Sequence, residues 1–400
     1  MKEGWTYRKF KDVCSSISDG DWIEKKDQSL SGIRLIQTGN IGVGKFIPKN
    51  ESQKYVSEET FNRLRCTEIF EGDILISRLP NPLGRSCILP KMDKRCITAV
   101  DCSILRIKEK LVLPDFFIYY TQSNDYFSKI DAESSGSTRA RITRKKLEET
   151  LIPVPSLSEQ QRIVSRLYAA FSHIDELKVN AEKQLSEARA LFQKSLAKAM
   201  EPKEGWEEKK LIEITHDNCP ISYGIVQQGD HIDGGIPVVR PVDMREKYIT
   251  RENLKCTTQT ISDSYKRTIL RGDELLLSVR GTTGIISLAT PELKGCNVNR
   301  GIVPLYFKDQ INKYFLYYEM VSPLLQSVFA EKTTGSTLKQ INIKDLRLIK
   351  LSLPPLSEQQ RIVERLDALS AHVRELEEYQ KKIISECDAL KQALLRKVFE

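Results

Sequence analysis

Pro155-Ser156-Leu157-Ser158-Glu159-Gln160-Gln161-Arg162-Ile163-Val164-Ser165-Arg166-Leu167 returns later in the chain as Pro354-Pro355-Leu356-Ser357-Glu358-Gln359-Gln360-Arg361-Ile362-Val363-Glu364-Arg365-Leu366, with eleven of thirteen positions identical. Chance does not produce such a match. Each copy opens a run without Gly or Pro in which apolar residues recur at steps of three and four, the spacing of one helix face. In the first run these are Ile163, Leu167, Ala170, Ile174, Leu177, Ala181, Leu185, Ala188, Phe192 and Leu196; in the second, Ile362, Leu366, Leu369, Val373, Leu376, Ile383, Leu390, Leu394 and Val398. Ser158 and Ser357 are placed to cap these helices, with Gln161 and Gln360 three residues on. A helix over 158–200 is expected to be about 65 Å long at ~1.5 Å per residue. An amphipathic helix of that length needs a partner, and the other copy is the obvious one. Packed antiparallel about a pseudo-twofold axis, the pair would join two like units through one self-complementary seam. The alternative is that both helices dock on another protein.

Weaker echoes keep nearly the same offset. Glu3-Gly4-Trp5 returns as Glu204-Gly205-Trp206, Gly72-Asp73 as Gly272-Asp273, and Gly136-Ser137-Thr138 as Gly335-Ser336-Thr337. A period this long means duplicated domains and not a solenoid of short repeats. The boundaries read as a globular domain at 1–156, a long helix at 157–201, a second globular domain at 202–355 and a second helix at 356–400. Within the globular parts, Ile33–Ile36, Asp73–Ser77 and Ser103–Ile107 predict strands. Phe116–Tyr120 and Tyr314–Tyr318 predict buried helices, their aromatics serving as core. The fold class is α+β: two mixed α/β domains joined by two long antiparallel coiled-coil helices.

Composition narrows the function. The net charge is +8, and residues 1–157 carry a net +5 and 201–356 a net +2, so the basic excess sits mainly outside the helices. That suits a polyanionic partner. No apolar run is long enough to span a bilayer, and the start Met1-Lys2-Glu3-Gly4-Trp5 lacks the apolar stretch of a signal peptide. A cytoplasmic protein is expected, which also fits nine cysteines without a Cys-x-x-Cys pair. No metal site is expected.

Catalytic motifs are near misses. Gly39-Asn40-Ile41-Gly42-Val43-Gly44-Lys45-Phe46 resembles a P-loop, but Phe46 stands where magnesium needs Ser or Thr; a glycine-rich turn is the simpler reading. Pro80-Asn81-Pro82-Leu83-Gly84 has part of the loop that amino-methyltransferases use, without its second Pro and aromatic. No nucleophile elbow or His-Glu-x-x-His sequence occurs.

The duplicated Pro-x-Leu-Ser-Glu-Gln-Gln-Arg-Ile-Val block, each copy following about 150 variable residues, resembles the specificity subunits of bacterial type I restriction–modification systems. The Gly-Trp starts, Gly-Asp strands and Gly-Ser-Thr turns fit the same pattern, and the likeness covers essentially the whole chain. The resemblance implies that each globular segment is a target-recognition domain reading half of a split double-stranded DNA site. The helices would set the spacing and dock two methyltransferase subunits, and restriction–translocase subunits would complete the assembly. It implies no catalysis and no bound cofactor in this chain: S-adenosylmethionine, ATP and magnesium would sit on the partners. A coiled-coil scaffold without DNA specificity is the competing reading, and an enzyme with an unrecognised site a third.

DNA readers use Lys and Arg on phosphates and Arg, Asn or Gln on base edges. The stretch Arg139, Arg141, Arg144, Lys145 and Lys146 has five cations in eight residues and is a candidate backbone contact, or else a solvated loop. Lys339 lies in the less basic counterpart. Polar loops after the strands supply the other candidates. In the first domain they are Gln37, Thr38, Asn40, Ser77, Arg78, Asn81 and Arg85. In the second they are Arg240, Asp243, Arg245, Ser278, Arg280, Thr282, Thr283, Asn297, Asn299 and Arg300. The seam between the helices is expected to use Ile163, Leu167, Ile174, Leu177, Leu185, Phe192, Ile362, Leu366, Val373, Leu376, Ile383 and Leu390.

Overall fold

The computed structural model describes residues 4–136, 140–336 and 338–400. The chain divides into two compact units, residues up to 182 together with 381–400, and residues 183–380. The expected long helices are present as Leu157–Ala199 and Leu356–Phe399, and both units take part of each.

In the first unit a four-stranded sheet runs in the order Cys14–Asp19, Cys102–Ile107, Ile74–Ser77, Ser86–Ile88. A second runs Lys54–Val56, Ile33–Ile36, Cys96–Thr98, Glu68–Ile69. The pair Ile33–Ile36 with Cys96–Thr98 is parallel, in the register Leu35 to Ile97. The second unit repeats this frame. Leu275–Ser278 is flanked by Ile286–Ala289 and Ile302–Leu305, and Ile236–Val239 pairs in parallel with Asn297–Val298. The copies differ at both edges of the sheet that holds Leu275–Ser278. The long strand Cys14–Asp19 is reduced in the second unit to a single bridge between Thr215 and Phe307, and Tyr248–Ile249 joins the opposite edge.

The Gly-Trp echo has a structural cause. Trp5 and Trp206 each pack edge-on against a helix phenylalanine, Phe116 and Phe315, at 6.3 and 5.9 Å. The strands that follow, Thr6–Lys9 and Glu207–Lys210, pair antiparallel with Leu151–Val154 and Lys350–Leu353, the segments leading into the long helices. The aromatic helices Pro114–Tyr120 and Lys313–Val321 are core elements, as their sequences predict.

The helix caps differ from the sequence expectation. Each helix starts one residue before the serine, so Ser158 and Ser357 lie in the first turn. Ser156 Oγ accepts from the Glu159 amide at 3.3 Å in the first copy, and Pro355 holds the corresponding place in the second. The residue that explains the repeat is the first glutamine of the pair. Gln160 and Gln359 are buried. Gln160 Oε1 accepts from the Leu113 amide at 2.8 Å, while its Nε2 donates to the carbonyls of Leu111 and Pro155. Gln359 Oε1 accepts from the Asn312 amide at 2.9 Å and its Nε2 donates to Pro354. Each side chain thereby ties the start of a long helix to the start of the aromatic helix of its own unit.

In each unit the two helix segments run antiparallel. In the first, Asp175 pairs with Lys391 and Lys178 with Asp388. In the second, Gln184 accepts from Gln380 at 2.8 Å and Arg189 pairs with Glu377 at 2.7 Å. Ile163, Leu167 and Ile174 are buried in the first unit, and Ile362 and Leu366 in the second. Leu185, Phe192, Val373, Leu376 and Ile383 are half-buried. Two expected seam residues are instead exposed, Leu177 at 57% and Leu390 at 49%. The first-helix stripe runs 163, 167, 171, 174, 178, 181, so its fourth step lands on Lys178, one residue beyond the leucine. Lys391 replaces Leu390 in the same way and lies 4.9 Å over the Phe171 ring. Lysine stems cover apolar surface while their ammonium groups reach a carboxylate at the rim, so these seam positions do not read as hydrophobic.

Glu319 is the other buried link. It accepts from the Ser352 amide at 2.6 Å, its second carboxyl oxygen has no hydrogen-bond partner among the described residues, and burial pushes its pKa up to about 8. The folded state therefore holds a proton that the unfolded chain, near 4.5, releases earlier, and this contribution to stability is lost as pH rises from about 4.5 to about 8. Over that window the thermal midpoint of the second unit should fall in the wild type and stay flatter in Glu319→Gln; parallel calorimetric profiles would contradict the assignment. Gln160→Ala and Gln359→Ala should each cost about 1–3 kcal/mol, by stranding a buried amide. The exposed Gln161→Ala should cost less than about 0.5 kcal/mol, all read by urea unfolding.

Candidate nucleic-acid interface

The polar turns cluster because the frame brings the ends of several strands together. In the second unit Gly301 is the meeting point. A Cβ there would lie 2.7 Å from Pro241 Cγ and 3.4 Å from the Arg280 carbonyl, so only glycine lets the turns after Val239, Ser278 and Val298 approach one another. The Asn299 amide donates to the Val239 carbonyl at 2.8 Å, and Gly281 donates to Lys339 at 2.9 Å. Thr283 and Thr333 share a hydroxyl hydrogen bond of 2.9 Å. Arg240, Arg280, Thr283, Asn299, Arg300 and Lys339 thus belong to adjoining turns of one region. Thr282 is exposed on the turn that carries Arg280, and Arg245 is exposed with its Nε donating to Val242.

The first unit builds the same region differently. Arg85 is its fastener: buried, it donates to the carbonyls of Ile41, Leu79, Pro82 and Thr38 at 2.7–3.0 Å. Arg78 is also buried, pairs with Asp19 at 3.3 Å and donates to the Val100 carbonyl. Burial lowers the pKa of both guanidinium groups. Arg141 pairs with Asp101 at 3.0 Å, and the Ile142 amide donates to Arg78, so the basic segment joins the same cluster of turns. Arg144 pairs with Glu148, Lys146 with Glu133, and Lys145 is exposed. Arg139, Ser137, Thr138 and Thr337, and with them part of the Gly-Ser-Thr echo, lie outside the described residues.

Several sequence candidates are therefore supports of the surface and not free groups on it. Besides Arg78 and Arg85, Asn40 is buried, accepting from the Gln37 amide and donating to Ile47. Ser77 donates to Leu79, and Ser278 accepts from Ile285, both fully buried. Asn297 is fully buried and bonded to Thr268 and Ser262. Arg240 and Asp243 satisfy each other at 2.9 Å. Their polarity signals turn construction: a buried donor or acceptor persists where it has a partner. Asn81 is exposed on the turn that Arg85 holds, and Gln37 and Thr38 are half-buried. That turn ends at Gly84, whose carbonyl accepts from the Tyr126 hydroxyl at 2.8 Å; its counterpart Gly284 accepts from Gln326 at 2.9 Å. The near P-loop at 39–46 is a turn closed by a Gly42-to-Lys45 hydrogen bond.

Sequence reasoning missed Val100 and Asp101. Isolated bridges place Ala99 against Asp21 and Asn299 against Ile225, so 99–101 is the counterpart of 299–301. The repeat held the signal, since Asn299 and Arg300 were already candidates. Among the described residues no group of His, Cys, Asp and Glu is arranged to hold a metal ion, and no helix is long and apolar enough to cross a membrane.

The difference between support and free surface is measurable. Arg85→Met should cost about 3–5 kcal/mol, because it leaves buried carbonyls unpaired. Arg245→Ala should stay within about 0.5 kcal/mol. Equal thermal midpoints for the two variants would contradict the distinction.

Comparison with known proteins supports one family. The sequence model described as "Type I restriction modification DNA specificity domain" matches twice, at residues 2–187 and 203–385. The EcoBI specificity subunit of Escherichia coli is 26% identical over 305 residues, covering 70% of this chain and 64% of that one. The EcoKI specificity subunit of E. coli K12 is 24% identical over 432 residues, covering 100% of this chain and 89% of that one. Among solved structures, a chain from work on assembly and conformational transition of the type I R-M system superposes with TM-score 0.75. It has 22% identity and covers 100% of this chain and 98% of that one. The HsdS subunit from Thermoanaerobacter tengcongensis gives TM-score 0.55 at 22% identity, covering 100% and 97%. With one family domain in each half, a duplicated α/β frame and a long helix after each globular part, the chain belongs to the type I restriction–modification DNA specificity family, and it is a specificity subunit with two target-recognition domains.

Proposed function

We propose that each recognition domain reads one half of a bipartite double-stranded DNA target, and that the long helices set the distance between the halves. The observation that carries this reading is the duplicated frame: each copy gathers the polar turns of its strands into one region and anchors itself to a long helix through the same buried glutamine. Lys and Arg on such a surface hold phosphates in register, while Arg, Asn and Gln at the turn tips discriminate bases. The same helices dock two methyltransferase subunits, with restriction–translocase subunits joining the complex in the cytoplasm. Methyl transfer and cleavage, with S-adenosylmethionine, ATP and magnesium, belong to those partners. A coiled-coil scaffold indifferent to DNA does not account for two family-matched recognition domains.

Replacing residues 1–153 by the corresponding part of another family member should change one half-site and leave the other as it was. Inserting or deleting a few residues within 163–200 should change the spacer while both half-sites persist. Mapping methylated adenines genome-wide in a host carrying each variant reads both outcomes. Altered bases in the helix variants, or both halves changed in the swap, would overturn the division of labour.

A further inference from the structure

The first unit holds a cationic cavity whose central residue, Arg34, is replaced by Pro237 at the equivalent register of the second. It measures about 420 Å³ and is lined by Arg34, Gln37, Thr38, Gly39, Lys49 and Lys54, with Leu35, Asn40 and Ser52 completing the wall. Among the described residues no carboxylate lines it. Arg34 sits in the middle of the strand Ile33–Ile36 and is 4% exposed. Its Nη2 donates to the Pro48 carbonyl at 2.6 Å, its Nε is buried without a partner, and among the described residues no acidic side chain pairs with it. A buried cation normally has a counter-charge, and this one faces two lysines. Gly39 contributes by having no side chain: a Cβ there would collide with Lys49 Nζ, so the glycine lets that ammonium lie against the turn. In the first unit Arg34 pairs with Tyr55 between the strands Ile33–Ile36 and Lys54–Val56; at the equivalent register of the second unit Pro237 pairs with Cys256. The turn that follows there is closed internally by the Arg240–Asp243 pair.

We infer that this cavity binds a phosphate group, and that in the working protein the group is one phosphodiester of the DNA backbone with its flanking sugars. Three cationic walls and the side chains of Gln37 and Thr38 suit a tetrahedral anion, and the volume exceeds that of a bare phosphate. The location supports the source. The turn 37–40 is one wall of the cavity and also part of the polar cluster, because Arg85 holds the Thr38 carbonyl. This inference rests on the DNA reading proposed above. It adds that the first domain grips the backbone through a pocket and the second does not.

The test uses the full chain and a duplex carrying its mapped target. Lys49 and Lys54 are exposed, so Lys49→Ala/Lys54→Ala should fold normally. It should bind about tenfold more weakly at low salt and lower the slope of log affinity against log salt by about 1, at ~0.9 per phosphate contact. Its preference for target over scrambled half-sites should not change. Gly39→Ala, which crowds Lys49 without removing charge, should move both quantities in the same direction by less. If both variants keep the wild-type slope and affinity while the target is still bound, the pocket assignment is wrong and the DNA reading stands. If the wild type binds no duplex at all, the DNA reading fails, and inorganic phosphate then decides the pocket by thermal shift. Stabilisation of the wild type but not of the double variant keeps it as a site for free phosphate; no stabilisation of either removes it.

Discussion

Everything that positions the recognition surfaces depends on how a long helix is joined to the domain before it. In both copies that join is made by one buried glutamine, which satisfies an amide at the start of the aromatic helix and the carbonyl of the proline just ahead of its own helix. A neutral amide can donate and accept at once, so it closes both bonds without burying charge. Glutamate would leave a donor's place empty and bring a charge into the core, and alanine would strand the backbone groups. This is why the block Ser-Glu-Gln-Gln persists between halves whose other sequences have diverged. A helix that could pivot at its root would not hold a reader at a defined angle.

Around that shared root the two domains have specialised. The parallel strand pair, the three antiparallel strands centred on Ile74–Ser77 and Leu275–Ser278, and the Gly84 and Gly284 turns recur. The fasteners differ. The first domain knots its turns with buried arginines that serve backbone carbonyls, and keeps a further buried arginine beside an open cationic cavity. The second closes the corresponding turn with an arginine–aspartate pair and brings its turns together over Gly301. The two target-recognition domains thus share an architecture and differ in the polar chemistry of their turns.

The fold was legible where the physics is periodic or repeated. The duplicated block located both helices, and apolar runs located the principal strands and the aromatic core helices. The seam was less legible, because two of its positions are lysines whose stems do the packing, and the neighbouring Leu177 and Leu390 attracted the hydrophobic reading instead. The candidate site was legible as a set of turns but not as a set of contacts. Arg85 and Asn297 look like base-reading side chains in a sequence. Only three-dimensional packing reveals that carbonyls and hydroxyls of their own domain already occupy them. Lys49 and Lys54 went unnoticed because nothing in the linear pattern connects them to Arg34.

The ion pairs along the helices carry a polarity. Lys178 with Asp388 in the first unit corresponds, one repeat on, to Glu377 with Arg189 in the second: the same two places with their charges exchanged. A chain made of two first halves would set Lys178 against a second Arg189, and one made of two second halves would set Glu377 against a second Asp388. Each such contact is weak at a rim open to water, yet the mismatch would occur twice in either hybrid. The sign of these pairs therefore marks, along the helices themselves, which half of the chain comes first.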